Sequence, residues 1–334
     1  MGLNINSEYK IAMIGAGAWA STIAQLLAEN GAQVRIWTHR ADLADHINQT
    51  RQHDHKLPEI RFHERVYASP KLESVLDGVQ AVVMGVASPY IQVAEQVAEL
   101  CPSGMLVLSL TKGLVAEQER GSEYLERVLP APKLAILSGP NLAKEIALKQ
   151  PATSVVAAKD PDTARFFQER VSNDCFRAYT SADVVGVELG GILKNCIAIA
   201  AGCVDGLGLG SNTKAALMTR GLQEMIRFGM ANGAEKNTFF GLSGLGDLIA
   251  TCGSNLSRNY QVGYQVAKGK RLSDIQTQLN SVAEGVRACK LVTKSAQEKG
   301  IELPIISEVY RVLYEDASPL DAIQRLMARD LKEE

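Results

Sequence analysis

Near the N-terminus an apolar run, Tyr9-Lys10-Ile11-Ala12-Met13-Ile14, passes directly into Gly15-Ala16-Gly17-Ala18-Trp19-Ala20, after which the pattern becomes helical. That order is a strand, a tight glycine turn and a helix start. It suits a dinucleotide pyrophosphate: Gly15 permits the turn, Gly17 lets the backbone approach a phosphate, and the small Ala20 lets the helix pack on the strand. The N–H groups at the start of the helix then face the anion. An ordinary strand-to-helix turn is the competing reading. Against it, the motif sits on the first turn of the chain, and a second strand, Gln33-Val34-Arg35-Ile36-Trp37, follows at βαβ distance.

The first half of the chain goes on alternating strand and helix signals. Strands are expected at 11–15, 33–39, 66–69, 81–87, 105–110, 134–137, 153–158 and 176–179, most of them short, rich in Val or Ile and apolar on both faces, as in a parallel sheet covered by helices. Helices are expected between them, among others at 21–29, 90–100 and 163–171. From about Asp183 onward the pattern is helix after helix with glycine-rich breaks at 206–210 and 241–246. The expected fold is therefore an α/β, doubly wound Rossmann-type N-terminal domain, residues 1–181, followed by an all-α domain, residues 182–334.

Composition narrows the function classes. A formal charge of −2 and the absence of a Lys/Arg block argue against a nucleic-acid partner. No segment reaches the roughly 18 to 20 uninterrupted apolar residues of a spanning helix, and no secretory pattern opens the chain, so a cytoplasmic location is expected. Cys101, Cys175, Cys196, Cys203, Cys252 and Cys289 show no metal spacing and read as reduced packing residues; no metal is expected. The oligomeric state stays open, a homodimer being compatible with everything in the sequence.

The most unusual helix is Val184 to Cys203, apolar nearly all round and yet containing Lys194 and Asn195. The same-face neighbours of Lys194 are Gly190, Gly191, Ile197 and Ala198, so no acid within the helix pairs with it. The two glycines leave space in which another backbone or a ligand could approach. Lys194 is then either a general acid/base or a lysine that snorkels or takes a remote carboxylate. Lys112 follows the strand 105–110 at its carboxyl end, where ligands of open parallel sheets bind. Ser138-Gly139-Pro140-Asn141 ends the next strand, and Asn141 could cap the helix after it. Asp247 stands in the turn Gly244-Leu245-Gly246-Asp247, functional or simply exposed. Ser257 reads as the cap of a helix running toward Lys268, and Arg258 and Asn259 in its first turn would suit a phosphate. The five histidines are expected at the surface or near the cofactor edge.

Together these segments resemble one family. Ile14-Gly15-Ala16-Gly17-Ala18-Trp19, Leu110-Thr111-Lys112-Gly113, Ser138-Gly139-Pro140, Leu193-Lys194-Asn195, Thr219-Arg220-Gly221, Gly244-Leu245-Gly246-Asp247, Ser257-Arg258-Asn259 and Val282-Ala283-Glu284-Gly285 span the chain. Their order is that of the bacterial-type NAD(P)-dependent glycerol-3-phosphate dehydrogenases, to which the chain is similar. The resemblance implies reduction of dihydroxyacetone phosphate to sn-glycerol 3-phosphate for phospholipid synthesis.

It further implies that Lys194 exchanges a proton with the C2 oxygen, with Lys112 and Asp247 organising substrate and charge. Gly139, Asn141, Ser257, Arg258 and Asn259 would hold the substrate, above all its phosphate. Besides the turn glycines Gly15 and Gly17, the positions resembling cofactor contacts are Ala18, Trp19, His39, Arg40, Lys112, Ala143, Arg258, Val282 and Glu284. Ala20 departs from the glycine usual at the end of the first motif, and Asn141 stands where the family commonly shows Ser or Thr. The second strand ends Trp37-Thr38-His39-Arg40 without the acid of NAD-specific sites, so NADPH is expected to be favoured over NADH. Two other classes compete: a related oxidoreductase acting on a carboxylated hydroxy acid or an imine, and a non-catalytic nucleotide sensor, which would not need Lys194, Asp247 and Arg258.

Overall fold

The computed structural model describes residues 9–53, 57–58, 60–115, 119–279, 283–331 and 333. These fall into two compact units, one running to Val115 and resuming over Glu119–Glu188, the other from Leu189 onward.

The first unit is built on the strands β1 (Lys10–Ile14), β2 (Gln33–Trp37), β3 (Val66–Ser69), β4 (Ala81–Met84), β5 (Leu106–Ser109), β6 (Lys133–Ser138), β7 (Ala152–Ala158) and β8 (Phe176–Ser181). Its helices are α1 (Ala18–Glu29), α2 (Ala41–Thr50), α3 (Leu72–Leu76), α4 (Val93–Leu100), α5 (Gly121–Val128), α6 (Ala143–Ala147) and α7 (Pro161–Val171). The strands form one sheet in the order β3-β2-β1-β4-β5-β6-β7-β8. Successive side chains go to opposite faces: Ile11 and Met13 join one core with Ile23 and Leu27 of α1, and Ala12 and Ile14 join another with Val75, Ala94 and Val97. Both faces are covered, which is why the strands read as apolar runs and not as alternating ones. The chain leaves β1 toward β2 and β3, then crosses to β4 on the other side of β1. The carboxyl end of β1 is thus the point where strand order reverses, and the glycine turn sits there.

The parallel expectation fails at one place. β6 and β7 pair antiparallel, with Ile136 opposite Ala157, while β7 and β8 are parallel again. Between Ser138 and Ala152 the chain forms only the short helix Ala143–Ala147, too little for a crossover back over the sheet. The segment expected as one helix over 90–100 is likewise two: a 3-10 turn at Ser88–Tyr90 opens with Pro89 at its start, and α4 begins at Val93.

The second unit continues α8 (Val184–Gly206), which begins in the first, and adds α9 (Ser211–Ala231), α10 (Asp247–Gly253), α11 (Arg258–Ala267), α12 (Leu272–Leu279), α13 (Glu284–Glu298), α14 (Pro304–Tyr314) and α15 (Pro319–Met327). By length and composition α8 could cross a membrane, but 83% of its most apolar stretch is buried inside the protein. Glycines let other backbones press against it. A Cβ at Gly202 or Gly263 would collide with the backbone of Tyr260 or Ile199, so α8 and α11 cross at nearly bare backbone. A Cβ at Gly285 would lie 2.7 Å from the Asn195 carbonyl, which brings α13 equally near.

Candidate active site

In the first unit the polar candidates gather at the carboxyl ends of the parallel strands. Gly15 takes φ +113°, and a Cβ there would come within 3.0 Å of the Gly85 carbonyl, so only glycine fits. Gly17 differs: its φ of −70° suits any residue and a Cβ would meet nothing within 4 Å. Among the described residues nothing requires glycine at that position, and the open space beside its backbone fits a ligand's close approach. Gly17 and the first residues of α1, Ala18 and Trp19, start a helix with no side-chain cap, which leaves N–H donors for an anion. The buried Trp19 Nε1 has no hydrogen-bond partner among the described residues. The turn therefore fits a dinucleotide.

His39 is exposed after β2, and Arg40 pairs with Asp42 at 2.6 Å in the first turn of α2. Lys112 donates from Nζ to the Gly139 carbonyl at 3.0 Å, joining the ends of β5 and β6. Gly139 itself has φ +148°, with Ser154 packed where a side chain would go. Asn141 does not cap a helix: the N-cap is Leu142, and the Asn141 amide donates instead to Ser154 Oγ at 3.3 Å. The buried oxygens Ser138 Oγ and Asn141 Oδ1 have no hydrogen-bond partner among the described residues. Ala143, half-buried, opens α6 and accepts from Thr22 of α1 through its carbonyl.

In the second unit Lys194 finds the acid that no same-face neighbour on its own helix supplies. Its Nζ donates to Asp247 Oδ1 at 3.0 Å and to Thr251 Oγ1 at 2.6 Å, and Thr251 in turn donates to Asp247 Oδ1 at 3.1 Å. All three residues are buried. Asp247 is not in a loose turn. Leu242–Gly246 forms one π-helical turn that runs into α10, with Gly244 pressed on Phe239. A Cβ at Gly190 would lie 2.5 Å from the Ser243 carbonyl, so the space beside Lys194 expected at that glycine is filled by the backbone that delivers Asp247. Nearby burial pushes the Cys252 thiol up to about 12, which makes it a packing group and not a nucleophile.

Ser257 caps α11, accepting from the Tyr260 N–H at 3.3 Å, and the Arg258 side chain is exposed in the first turn. Asn259 turns inward. Its amide donates to Asn195 Oδ1 at 2.8 Å while its oxygen accepts from the Gly285 N–H at 3.0 Å. It thereby ties α8 to the start of α13, whose first residue is Glu284. Val282 lies outside the described residues.

Comparison with known proteins fits this geometry. Models of the N- and C-terminal parts of NAD-dependent glycerol-3-phosphate dehydrogenase match residues 10–164 and 183–324. The chain belongs to the NAD-dependent glycerol-3-phosphate dehydrogenase family. It is accordingly an oxidoreductase with a nicotinamide dinucleotide cofactor. A glycerol-3-phosphate dehydrogenase [NAD(P)+] of Citrifermentans bemidjiense is 42% identical over 330 residues, covering 97% of this chain and 98% of that one. One from a Nostoc species is 43% identical, covering 98% and 99%. The crystal structure of the Coxiella burnetii glycerol-3-phosphate dehydrogenase superposes with a TM-score of 0.93 at 35% identity, covering 96% of this chain and 99% of that one.

Within this family frame the substitution at Ala20 has a structural account. A Cβ on Gly85 would fall 2.6 Å from Ala20 Cβ, so the methyl of Ala20 occupies room left by the glycine after β4. One residue of the cluster escaped the sequence reading. Thr251 lies four positions beyond Asp247, one turn along α10, which was a usable signal once Asp247 was seen on a helix. Of the histidines expected at the surface or near the cofactor edge, His53 lies against the glycine turn; it is 1% exposed, and no local pattern marks that burial.

Proposed function

We propose that this chain reduces dihydroxyacetone phosphate to sn-glycerol 3-phosphate, reversibly and with NADPH favoured, and that it does so in the cytoplasm as a source of glycerophospholipid precursors. Residues 1–181 would form the dinucleotide-binding domain and residues 182–334 the helical substrate domain. The observation that carries the reading is the buried Lys194–Asp247–Thr251 cluster. When bound, the nicotinamide supplies the hydride. Lys194 passes a proton to the oxygen on C2, and its positive charge favours the developing alkoxide. Asp247 balances the positive charge of the ammonium and, with Thr251, fixes where it points. Lys112, held by the Gly139 carbonyl, adds a second positive charge for the substrate.

Arg258 takes the phosphate, since its guanidinium is exposed beside the capped start of α11. Ser257 and Asn259 shape that turn, and the unpaired Asn141 Oδ1 supports a contact from Asn141 to the substrate. Gly15, Gly17, Ala18 and Trp19 hold the pyrophosphate, and His39 and Arg40 the adenosine ribose with its 2′-phosphate. Lys112, Ala143, Arg258, Val282 and Glu284 complete the cofactor contacts.

The test is NADPH oxidation by pure protein on addition of dihydroxyacetone phosphate, compared with unphosphorylated dihydroxyacetone, a 2-keto acid and an imine. Turnover confined to the phosphorylated ketone supports the proposal. Preference for the keto acid or the imine would overturn it in favour of a related oxidoreductase.

A further inference from the structure

The loop after α2 carries His53 into the interior of the first unit, where Nε2 lies 2.8 Å from the Ala16 carbonyl oxygen in the middle of the glycine turn. A carbonyl oxygen only accepts, so Nε2 bears the hydrogen. The peptide between Ala16 and Gly17 is planar and trans, and its C=O and N–H therefore point in opposite directions. A donor anchored on the oxygen fixes where the Gly17 N–H points. Among the described residues no group accepts from that N–H.

This peptide needs a brace. Its rotation is set by ψ of Ala16 and φ of Gly17, and glycine leaves the second almost unrestrained. The first turn of α1 has no side-chain cap to hold it either. We propose that His53 is a positioning residue for the cofactor: its buried Nε2–H holds the Ala16 carbonyl so that the Gly17 N–H faces the pyrophosphate. The role rests on the dinucleotide reading of the same turn.

Three variants of the full-length protein test it. His53→Gln sets an amide N–H near the place of Nε2, His53→Asn sets one a bond short, and His53→Leu keeps bulk without a donor. Direct binding of NADPH should weaken about 5- to 10-fold in the Leu and Asn variants, the equivalent of one lost hydrogen bond, and stay near native with Gln. KM for NADPH should follow, with kcat at saturation within about twofold of native. Adenosine 2′-monophosphate, which carries neither phosphate of the pyrophosphate bridge, should bind all variants alike. Native NADPH affinity in the Leu and Asn variants overturns the proposal, and so does a parallel loss for adenosine 2′-monophosphate, which would mean a general defect of the unit. If His53→Leu does not fold, equal NADPH affinity in the Gln and Asn variants overturns it. Native protein that binds adenosine 2′-monophosphate but not NADPH overturns the cofactor reading along with it.

Discussion

Lys194→Met tests the buried cluster on two independent scales. The substitution keeps most of the side-chain volume but removes the ammonium, and Asp247, with a side chain 2% exposed, retains the Thr251 hydroxyl at 3.1 Å while losing its cation. Breaking a buried ion pair by removing one partner costs about 3 to 5 kcal/mol, so the single variant should unfold at markedly lower urea concentration than the native protein. Lys194→Met/Asp247→Asn removes the charge as well and should recover most of that loss. Activity should behave differently. If Lys194 is the proton donor, kcat with dihydroxyacetone phosphate falls by roughly 10² to 10⁴ in both variants, because restoring stability does not restore the donor. Urea midpoints and steady-state NADPH oxidation on the same preparations separate the two effects. A single variant with near-native kcat would falsify the catalytic role, and a double variant no more stable than the single would refute the argument from the stranded carboxylate.

Arg258→Ala should raise KM for dihydroxyacetone phosphate by about 10- to 100-fold, the equivalent of roughly 1.5 to 3 kcal/mol for a charge-assisted contact, over and above whatever loss its cofactor contact causes with unphosphorylated dihydroxyacetone; equal losses with the two ketones would leave Arg258 no part in holding the phosphate. Arg40→Asp should move the ratio of kcat/KM for NADPH over NADH toward NADH, since an acid at the end of β2 repels a 2′-phosphate; because Arg40 already pairs with Asp42, Asp42→Asn should move it the other way, and an unchanged ratio in both would exclude the site. Glu224 of α9 accepts from the Ile305 and Ile306 N–H groups at the start of α14, yet burial pushes its carboxyl up to about 7 from the ordinary 4.5. The folded protein then holds this proton more tightly than the unfolded chain, so the contribution of this group to stability is fully present below about pH 4.5 and is lost, by about 3 kcal/mol, as pH rises through about 7. Glu224→Gln should flatten that part of the stability–pH curve, and a curve parallel to the native one would show that the carboxyl titrates normally.

The class of fold and the place of the cofactor turn follow from local properties of the chain. Strands apolar on both faces, the helix patterns between them, and a glycine at the one position that takes φ +113° each act within a few residues, so they can be read without knowing the fold. Lys194 stood out in the same way, as the one cation on a largely apolar helix. What it pairs with did not, because Asp247 is 53 residues away and reaches it only through the contact of the π-helical turn with Gly190. The inward turn of Asn259, the burial of His53 and the room for Ala20 made by Gly85 are of the same kind. So is the antiparallel course of β7, a matter of how far a short connection can reach. Burial and partnership belong to the neighbours a residue acquires by packing, and sequence separation carries no measure of that distance.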